Sequence, residues 1–261
     1  MGNRLSGHVI AVNTQPRNPG LTSEVKQLSI LTELEIVDAV TPKDIDEVKI
    51  GRGIKKAQVL IGRDVTAVEI CISYSHQKAY KSALRLNSDA ALILEDDVAI
   101  GDIDAFKTLL DQIPPTIKPT IWTFYSPDWS VWTKKKEKFK AVFPPAYASC
   151  YIINRNAMNI AINSDPIGLA DWPIWSKKVE FYLVSNSCVS IINTKSFVEK
   201  GRITAKLRKH KLRSFFSLEF LLTVPLIDRI RHIFLYPMLW KIFLLLRKFQ
   251  YHSRKANKPQ I

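Results

Sequence analysis

Three successive carboxylates follow a short apolar run near the middle of the chain, in residues 90–98 (Ala-Ala-Leu-Ile-Leu-Glu-Asp-Asp-Val). The apolar residues 92–94 are consecutive rather than alternating, which predicts a strand that is covered on both faces. Glu95, Asp96 and Asp97 would then lie at the carboxyl end of this strand, the edge that borders the ligand crevice in open α/β sheets. Closely spaced carboxylates repel one another unless a cation or a substrate hydroxyl takes up their charge. The stretch therefore predicts a ligand site, and a solvated acidic turn is the alternative.

Polar residues at helical spacing form a second candidate. Glu69, Ser73 and His76 are separated by four and three residues. They would share one face of a helix that we expect to begin at an Asp64 cap and to end near Asn87. A carboxylate and an imidazole on one face could serve a catalytic site. The same spacing also fits the exposed face of an ordinary helix, and the helix alone does not separate the two interpretations.

A loop aspartate is the third candidate. Asp171 precedes Trp172 in a loop that is closed by Pro173. Apolar surroundings raise the pKa of a carboxyl group toward that of a useful general base. Asp171 is therefore a candidate base, although an aspartate in a loop also commonly forms a turn.

Aromatic residues cluster in a segment that lacks core periodicity. Tyr125, Trp129 and Trp132 precede a run of lysines at residues 134–136. Aromatic faces outside a core commonly stack on sugars or bases, which would make these side chains substrate-binding. Alternatively, they only cover one edge of the sheet.

Strands and helices are expected to alternate around these candidates. The chain opens with a β-α-β pattern, yet it contains neither the glycine pattern of a dinucleotide-binding loop nor that of a P-loop. Residues 41–62 are polar and contain three glycines, so we expect loops there. The predicted elements are strands over 8–13, 34–40, 90–98, 121–125, 148–153 and 184–192, and helices from Thr22, over 64–87, over 102–112 and over 155–163. This order predicts an α/β fold with a mixed, mainly parallel sheet flanked by helices.

Charge separates the chain into two parts. Its 261 residues are 46% hydrophobic and carry a formal charge of +14, which excludes a wholly disordered chain. Residues 196–261 contain 15 Lys or Arg against 3 Asp or Glu, whereas residues 1–195 contain 23 against 21. A nearly neutral body with a basic tail implies a polyanionic partner for the tail, either nucleic acid or an anionic membrane surface.

The tail combines its basic residues with aromatic and aliphatic blocks. These blocks, around residues 215–222 and 233–246, fall short of the length of a membrane-spanning helix. Apolar segments flanked by Lys and Arg instead fit amphipathic helices in the interface of an anionic bilayer. So much Leu and Phe disfavours nucleic acid as the partner, and a packed helical pair at an oligomer contact is the alternative.

Cysteine usage and the N-terminus bear on the compartment. Cys71, Cys150 and Cys188 are odd in number and far apart, which suggests neither a disulfide framework nor a zinc site. The N-terminus reaches its first predicted strand without the long apolar region of a secretory signal. We therefore expect the catalytic part to stay in the cytoplasm.

Taken in order, the acidic strand end, the Ser-His helix and the late Asp171 resemble glycosyltransferase family 25, the lipopolysaccharide galactosyltransferase-like family. The resemblance covers residues 8–194, and residues 94–98 match its Leu-Glu-Asp-Asp-Val pattern in full. Residues 69–76 keep most of the Glu-Ile-Gly-Cys-x-x-Ser-His pattern but have Cys71 and Ile72 in place of its Gly and Cys. A looser match is the Tyr-x-Ile-Asn strand at residues 151–154.

The resemblance implies a GT-A-like domain, which we place over residues 1–195. The composition of residues 196–261 predicts that this domain is followed by a basic, amphipathic, membrane-associating helical tail. The resemblance also implies that the acidic strand end binds a divalent metal, Mn²⁺ or Mg²⁺, which bridges the diphosphate of a nucleotide sugar. Within that site Asp97 is the expected metal ligand, and Glu95 or Asp96 would bind ribose or sugar hydroxyls.

The remaining candidates take their roles from the same resemblance. Glu69, Ser75 and His76 would complete the donor site. Asp171 would be the base of an inverting displacement, because an attacking acceptor hydroxyl must lose its proton to a carboxylate away from the metal. The acceptor-binding candidates are aromatic: Trp129, Trp132 and Trp172.

The leading hypothesis is a bacterial glycosyltransferase that moves a hexose, galactose being the first candidate, from a UDP-sugar to a lipid-linked or lipooligosaccharide acceptor. It would rest peripherally on the cytoplasmic face of the inner membrane and would not bind nucleic acid. Two alternatives stay open. One is a metal-dependent nuclease or phosphodiesterase that uses Glu95, Asp96, Asp97 and His76, and the other is a non-catalytic assembly protein bound to the membrane.

Overall fold

A computed structural model of the chain describes residues 4–61, 65–125, 148–166, 170, 174–184 and 188–192. Within them a six-stranded sheet has the strand order β2-β1-β3-β6-β5-β7. Its strands are β1 (Leu5–Ala11), β2 (Leu31–Asp38), β3 (Ala90–Glu95), β5 (Thr120–Thr123), β6 (Cys150–Asn154) and β7 (Glu180–Leu183). All are parallel except β6, which runs antiparallel to both of its neighbours. The predicted fold class, α/β with a mixed and mainly parallel sheet, is confirmed.

Five helices accompany this sheet in the described part of the chain. They are α1 (Leu21–Lys26), α2 (Glu47–Ile61), α3 (Ala67–Arg85), α4 (Ile103–Asp111) and α5 (Arg155–Ile162). One core layer joins the sheet to α1 and α4 through Leu21, Val25, Phe106 and Leu110. The other layer joins it to α3 and α5, with Tyr80 and Met158 among its buried residues.

Burial on both faces explains the continuous apolar run in β3. Residues 91–94 are all completely buried. Leu92 and Leu94 pack on the layer of α1 and α4, whereas Ala91 and Ile93 pack on the layer of α3 and α5. Because successive strand residues point to opposite faces, the next two residues after Leu94 are also directed to different sides of the sheet. Glu95 and Asp96, the first two of the three acids, therefore have different surroundings.

The sequence prediction missed helix α2 and read its region as loops. Gly51 and Gly53 suggested breaks, but both lie inside the helix. At Gly53 the missing side chain permits close packing on α3, since a Cβ there would lie 3.2 Å from Ile70 Cγ2. Asp46 caps the helix by accepting hydrogen bonds from the backbone of Val48 and Lys49. That capping aspartate was the available sequence signal.

Two boundaries also differ from prediction. Thr66, rather than Asp64, is the N-cap of α3, and it forms a capping box with Glu69. The last predicted strand, over 184–192, contains only the short strand β8 (Val189–Ile191), which is not part of the main sheet, whereas β7 (Glu180–Leu183) precedes the predicted range and was missed. Strand β8 pairs antiparallel with β4 (Val98–Ile100), which follows the acidic residues. The predicted helices over 102–112 and 155–163 are confirmed.

The predicted tail, residues 196–261, lies outside the described residues, so its amphipathic helices stay a prediction. Within the described ranges no helix combines the length and the apolar character needed to cross a membrane.

Candidate active site

The three acids lie at the carboxyl end of the parallel strands, the edge at which open α/β sheets bind ligands. Glu95 is the last residue of β3, and Asp96 and Asp97 form the turn that leads into β4. Beside them, β1 ends in a tight turn in which Asn13 and Thr14 have φ angles of 53° and 57°. Such angles are unusual for a β-branched threonine, and backbone strain of this kind is common at functional sites.

Arg17, which follows the turn after β1, forms ion pairs with Asp96 and Asp97. Its Nε lies 2.8 Å from Asp96 Oδ1, and its Nη2 lies 3.0 Å from Asp97 Oδ2. The backbone fixes the same approach, because Asn18 N donates to Asp96 O at 2.8 Å and Asn18 Nδ2 donates to Val98 O at 2.8 Å. One guanidinium therefore offsets part of the charge of two carboxylates. Sequence reasoning gave Arg17 no role, because 79 residues separate it from Asp96.

Asp97 is the acid whose surroundings best fit a metal ligand. Among the described residues its Oδ1 is buried without a hydrogen-bond partner. Burial, followed by the charge of Glu95, raises the pKa of Asp97 to about 6, although Arg17 opposes this shift. A cation at Oδ1 would satisfy the orphaned oxygen and favour the ionised carboxylate.

The described residues do not form a complete metal cage, since no group of three or more His, Cys, Asp or Glu side chains among them could hold an ion. Mg²⁺ commonly uses only one or two protein carboxylates and takes its other oxygens from substrate phosphates and water. Asp97 therefore fits a metal that arrives with a diphosphate, and the predicted metal would be held by this residue.

Glu95 points to the other side of the sheet, toward α3. Its Oε1 lies 3.3 Å from His76 Nε2, and its Oε2 accepts a hydrogen bond from Ser149 Oγ at 3.1 Å. The backbone of Glu95 also donates to Ser149 O at 2.8 Å. The structure thus brings together two predicted donor-site residues, Glu95 and His76, with both oxygens of Glu95 held in place. Ser149 was missed because nothing in its local sequence signals this contact.

The second ring nitrogen of His76, Nδ1, also has a hydrogen-bond partner. His76 Nδ1 lies 2.6 Å from Tyr151 OH, and Tyr151 OH lies 2.5 Å from Tyr80 OH. The rings of His76 and Tyr151 are nearly parallel, at 15°. Tyr80 was missed as a site residue, although its position one helical turn after His76 was a usable signal.

Glu69 and Ser75 have contacts that organise the backbone. Glu69 is buried and accepts from Thr66 N at 2.9 Å in the capping box of α3. Ser75 Oγ donates to Cys71 O at 2.9 Å and accepts from Val40 N at 2.9 Å, which ties α3 to the residues after β2. Their predicted part in donor binding stays a prediction.

A cleft lies beside His76. It lies between α3, the residues after α5 and the 3-10 helix Ile174–Lys178, and its lining is Ser73, His76, Gln77, Tyr80, Pro166, Ala170 and Trp175. The predicted base and acceptor residues, Asp171, Trp172, Trp129 and Trp132, lie outside the described residues. Ala170, which immediately precedes Asp171 in the sequence, lines the cleft.

Comparison with known proteins identifies one family. The model of glycosyltransferase family 25, described as LPS biosynthesis protein, matches residues 6–163, which is more than half of the chain. The match includes β1, Arg17, the α3 helix and all three acids. No curated protein matches the chain significantly.

Solved structures show only distant similarity. A glycosyltransferase involved in glycosylation of the major capsid of PBCV-1 is 12% identical, with a TM-score of 0.36 over 60% of this chain and 63% of that chain, less than two thirds of its length. The inositol-1-phosphate CTP transferase of T. maritima is 13% identical, with a TM-score of 0.41 over 80% and 98%. The glucosyl-3-phosphoglycerate synthase of Mycobacterium tuberculosis, solved with Mn²⁺, UDP-glucose and phosphoglyceric acid, is 11% identical, with a TM-score of 0.41 over 79% and 77%.

Proposed function

We propose that the chain, which belongs to glycosyltransferase family 25, transfers a hexose from a UDP-sugar to a hydroxyl of a lipid-linked or lipooligosaccharide acceptor. Galactose is the first candidate for the sugar. The observation that carries this proposal is the acidic turn within the family match. There Asp96 and Asp97 meet Arg17, and Glu95 meets His76, at the carboxyl edge of the sheet. In open α/β sheets this edge is the usual ligand crevice.

A nucleotide sugar brings two negative phosphates toward three carboxylates, so the site needs positive charge. Arg17 supplies part of it and keeps Asp96 and Asp97 in one orientation. A bound Mn²⁺ or Mg²⁺, held at Asp97, would neutralise the diphosphate and stabilise it as a leaving group. Glu95, fixed by His76 and Ser149, is placed to accept hydrogen bonds from ribose or sugar hydroxyls.

We assign the base to Asp171 and the reaction to an inverting displacement. An inverting transfer needs a carboxylate on the acceptor side, opposite the leaving group, to take the proton of the attacking hydroxyl. Asp171 follows Ala170, which lines the cleft beside His76. In this proposal Trp129, Trp132 and Trp172 offer aromatic faces to the acceptor sugar.

The tail gives the proposal its location. A basic amphipathic segment over residues 196–261 would hold the enzyme peripherally on the anionic cytoplasmic face of the inner membrane. An enzyme that extends a lipid-anchored glycan gains effective concentration when it rests on the same surface as its acceptor.

The deciding experiment measures metal-dependent hydrolysis of UDP-galactose, UDP-glucose and UDP-N-acetyl sugars by the purified chain, alongside cleavage of DNA. Hydrolysis that is selective for one UDP-sugar supports glycosyl transfer. DNA cleavage would instead support the nuclease alternative, and the absence of both activities would support a non-catalytic assembly role.

Asp171→Asn tests the base. The amide cannot accept the proton, so transfer should fall by a factor on the order of 10²–10⁴ while donor binding persists. Asp165→Asn is the matched control, because Asp165 is an exposed aspartate nearby that pairs with Lys56 at 3.4 Å. Normal turnover of Asp171→Asn would remove Asp171 from the mechanism.

A further inference from the structure

A buried row of hydrogen bonds leads from Glu95, in the proposed binding site of the sugar donor, into the interior of the protein. It connects Glu95 to His76 at 3.3 Å, His76 to Tyr151 at 2.6 Å, and Tyr151 to Tyr80 at 2.5 Å. His76, Tyr80 and Tyr151 are each 3–4% exposed. Their polar atoms are therefore shielded from bulk water, and each hydrogen bond must be made within the protein.

The fold places these groups in line. His76 and Tyr80 are one turn apart on the same face of α3. On β6, Tyr151 pairs with Ile93 of β3, and Ser149 precedes it by two residues, so both side chains lie on the face toward α3. Tyr80 also contacts the edge of Trp175, with ring centroids 6.3 Å apart at 82°. One helix and two strands thus determine the geometry of the whole row.

The row has a preferred direction of proton donation. Tyr151 is the hydrogen-bond partner of the Tyr80 hydroxyl among the described residues, so a proton of Tyr80 that did not point to Tyr151 would be buried without an acceptor. Burial also raises the pKa of Tyr80, which keeps its hydroxyl protonated. With Tyr80 donating to Tyr151, the Tyr151 hydroxyl can in turn donate to His76 Nδ1, which lies 2.6 Å away. A neutral imidazole that accepts at Nδ1 carries its proton on Nε2 and donates to Glu95.

We infer that Tyr151, supported by Tyr80, is a positioning residue that fixes the tautomer of His76 and thereby the orientation of Glu95. The effect on Glu95 as a donor ligand rests on the proposed function, whereas the tautomer of His76 does not. No covalent step is involved, because the tyrosines act only through the imidazole. Loss of comparable outer hydrogen bonds costs on the order of 10- to 100-fold in affinity or activity at metal sites.

The test reads the tautomer directly, by two-bond ¹H–¹⁵N NMR of the histidine rings in the full chain, with His76→Gln to assign the signals. The wild-type spectrum should show His76 protonated at Nε2. In Tyr151→Phe the Nδ1 atom loses its donor, so the spectrum should shift toward a mixture of tautomers. Tyr80→Phe, which leaves Tyr151 in place, should produce a smaller shift and provides a second variant should Tyr151→Phe fail to fold.

Tyr182→Phe is the matched control, since Tyr182 donates to Glu180 Oε2 at 3.0 Å on β7, away from this row. Its His76 signals should equal those of the wild type. A wild-type His76 protonated at Nδ1, or unchanged His76 signals in both Tyr151→Phe and Tyr80→Phe, would overturn the inference.

Titration with UDP-galactose, UDP-glucose and UDP-N-acetyl sugars in the presence of Mn²⁺ then separates the inference from the proposed function. If the wild type binds the donor, Tyr151→Phe should weaken binding by about tenfold and Tyr182→Phe should not. Equal donor affinity in Tyr151→Phe and wild type would refute the link to Glu95. If the wild type binds no UDP-sugar, the proposed function fails, and the NMR result alone decides whether Tyr151 fixes His76.

Discussion

Acidification from pH 7 to pH 5 should destabilise the chain through His8, at the centre of β1. His8 is completely buried, its Nε2 lies 2.8 Å from Ser6 Oγ, and its Nδ1 has no hydrogen-bond partner among the described residues. Burial lowers the pKa of His8 from 6.5 to about 4, with Glu35 opposing the shift and Arg85 adding to it. Protonation would therefore place a charge inside the sheet that Glu35 offsets only in part.

The sign and size of the effect follow from linkage. Between the two pKa values the unfolded chain binds more protons at His8 than the folded chain, so the free energy of unfolding decreases as the pH falls. The contribution of neutral His8 to the free energy of unfolding is complete at pH values above the pKa of His8 in the unfolded chain. It is lost progressively as the pH falls toward the pKa of His8 in the folded chain. For a shift of this size, the change from pH 7 to pH 5 removes about 2 kcal/mol of stability.

Urea unfolding followed by tryptophan fluorescence at both pH values measures this loss. His8→Phe keeps an aromatic ring of similar size but cannot be protonated. Between pH 7 and pH 5 its free energy of unfolding should therefore decrease by about 2 kcal/mol less than that of the wild type. Ser6→Ala is the control, because it removes the hydrogen bond to His8 and leaves the titrating group. If His8→Phe and wild type lose equal stability between pH 7 and pH 5, His8 does not titrate as a buried base and this reasoning is wrong.

Three further predictions concern the ion pairs of Arg17 with Asp96 and Asp97 (which we call the Arg17 clamp), helix α2 and the tail. Arg17→Met should lower the free energy of unfolding by about 1–3 kcal/mol, because it leaves the buried Asp96 without its cation; Arg17→Lys should lose less, and equal stability of all three proteins in urea would contradict the Arg17 clamp. Gly51→Ala should stabilise α2 by about 0.5–1 kcal/mol in thermal unfolding, and Gly53→Ala should gain less because its Cβ would meet α3; identical gains would refute this packing. Deleting residues 200–261 should move the protein from the membrane to the soluble fraction on centrifugation, and retained membrane binding would count against an amphipathic tail.

The parts of the fold that the sequence predicted are those with a local cause. The unbroken run in β3 required a covered strand, and its four interior residues are completely buried. The helix of Glu69 and His76 was recognised from its spacing, and its true start at Thr66 follows from a capping box that sequence alone contains. Helix α2 was missed because Gly51 and Gly53 weaken a helix intrinsically, while packing against α3, which favours it, is not visible locally.

The contacts of the candidate site were harder to predict because they join distant segments. Arg17 meets Asp96 across 79 residues, and His76 meets Tyr151 across 75. Neither pair is implied by a spacing within one element. The antiparallel direction of β6, which brings Ser149 and Tyr151 beside β3, was equally invisible, since an isolated buried strand does not reveal its direction.

The end of β3 and the turn that follows it give the three acids different surroundings. Glu95 is directed to the layer of α3, where the imidazole of His76 and the hydroxyl of Ser149 hold both of its oxygens. Asp96 and Asp97 meet the turn after β1, where a guanidinium offsets their charge and one oxygen of Asp97 stays without a partner in the described structure. A hydrogen-bonded carboxylate is suited to bind hydroxyls, and an orphaned one is suited to bind a cation. The different surroundings of Glu95 and Asp97 therefore support the separate roles that we propose for them, and they arise because the strand ends at Glu95 and the turn redirects the two acids that follow.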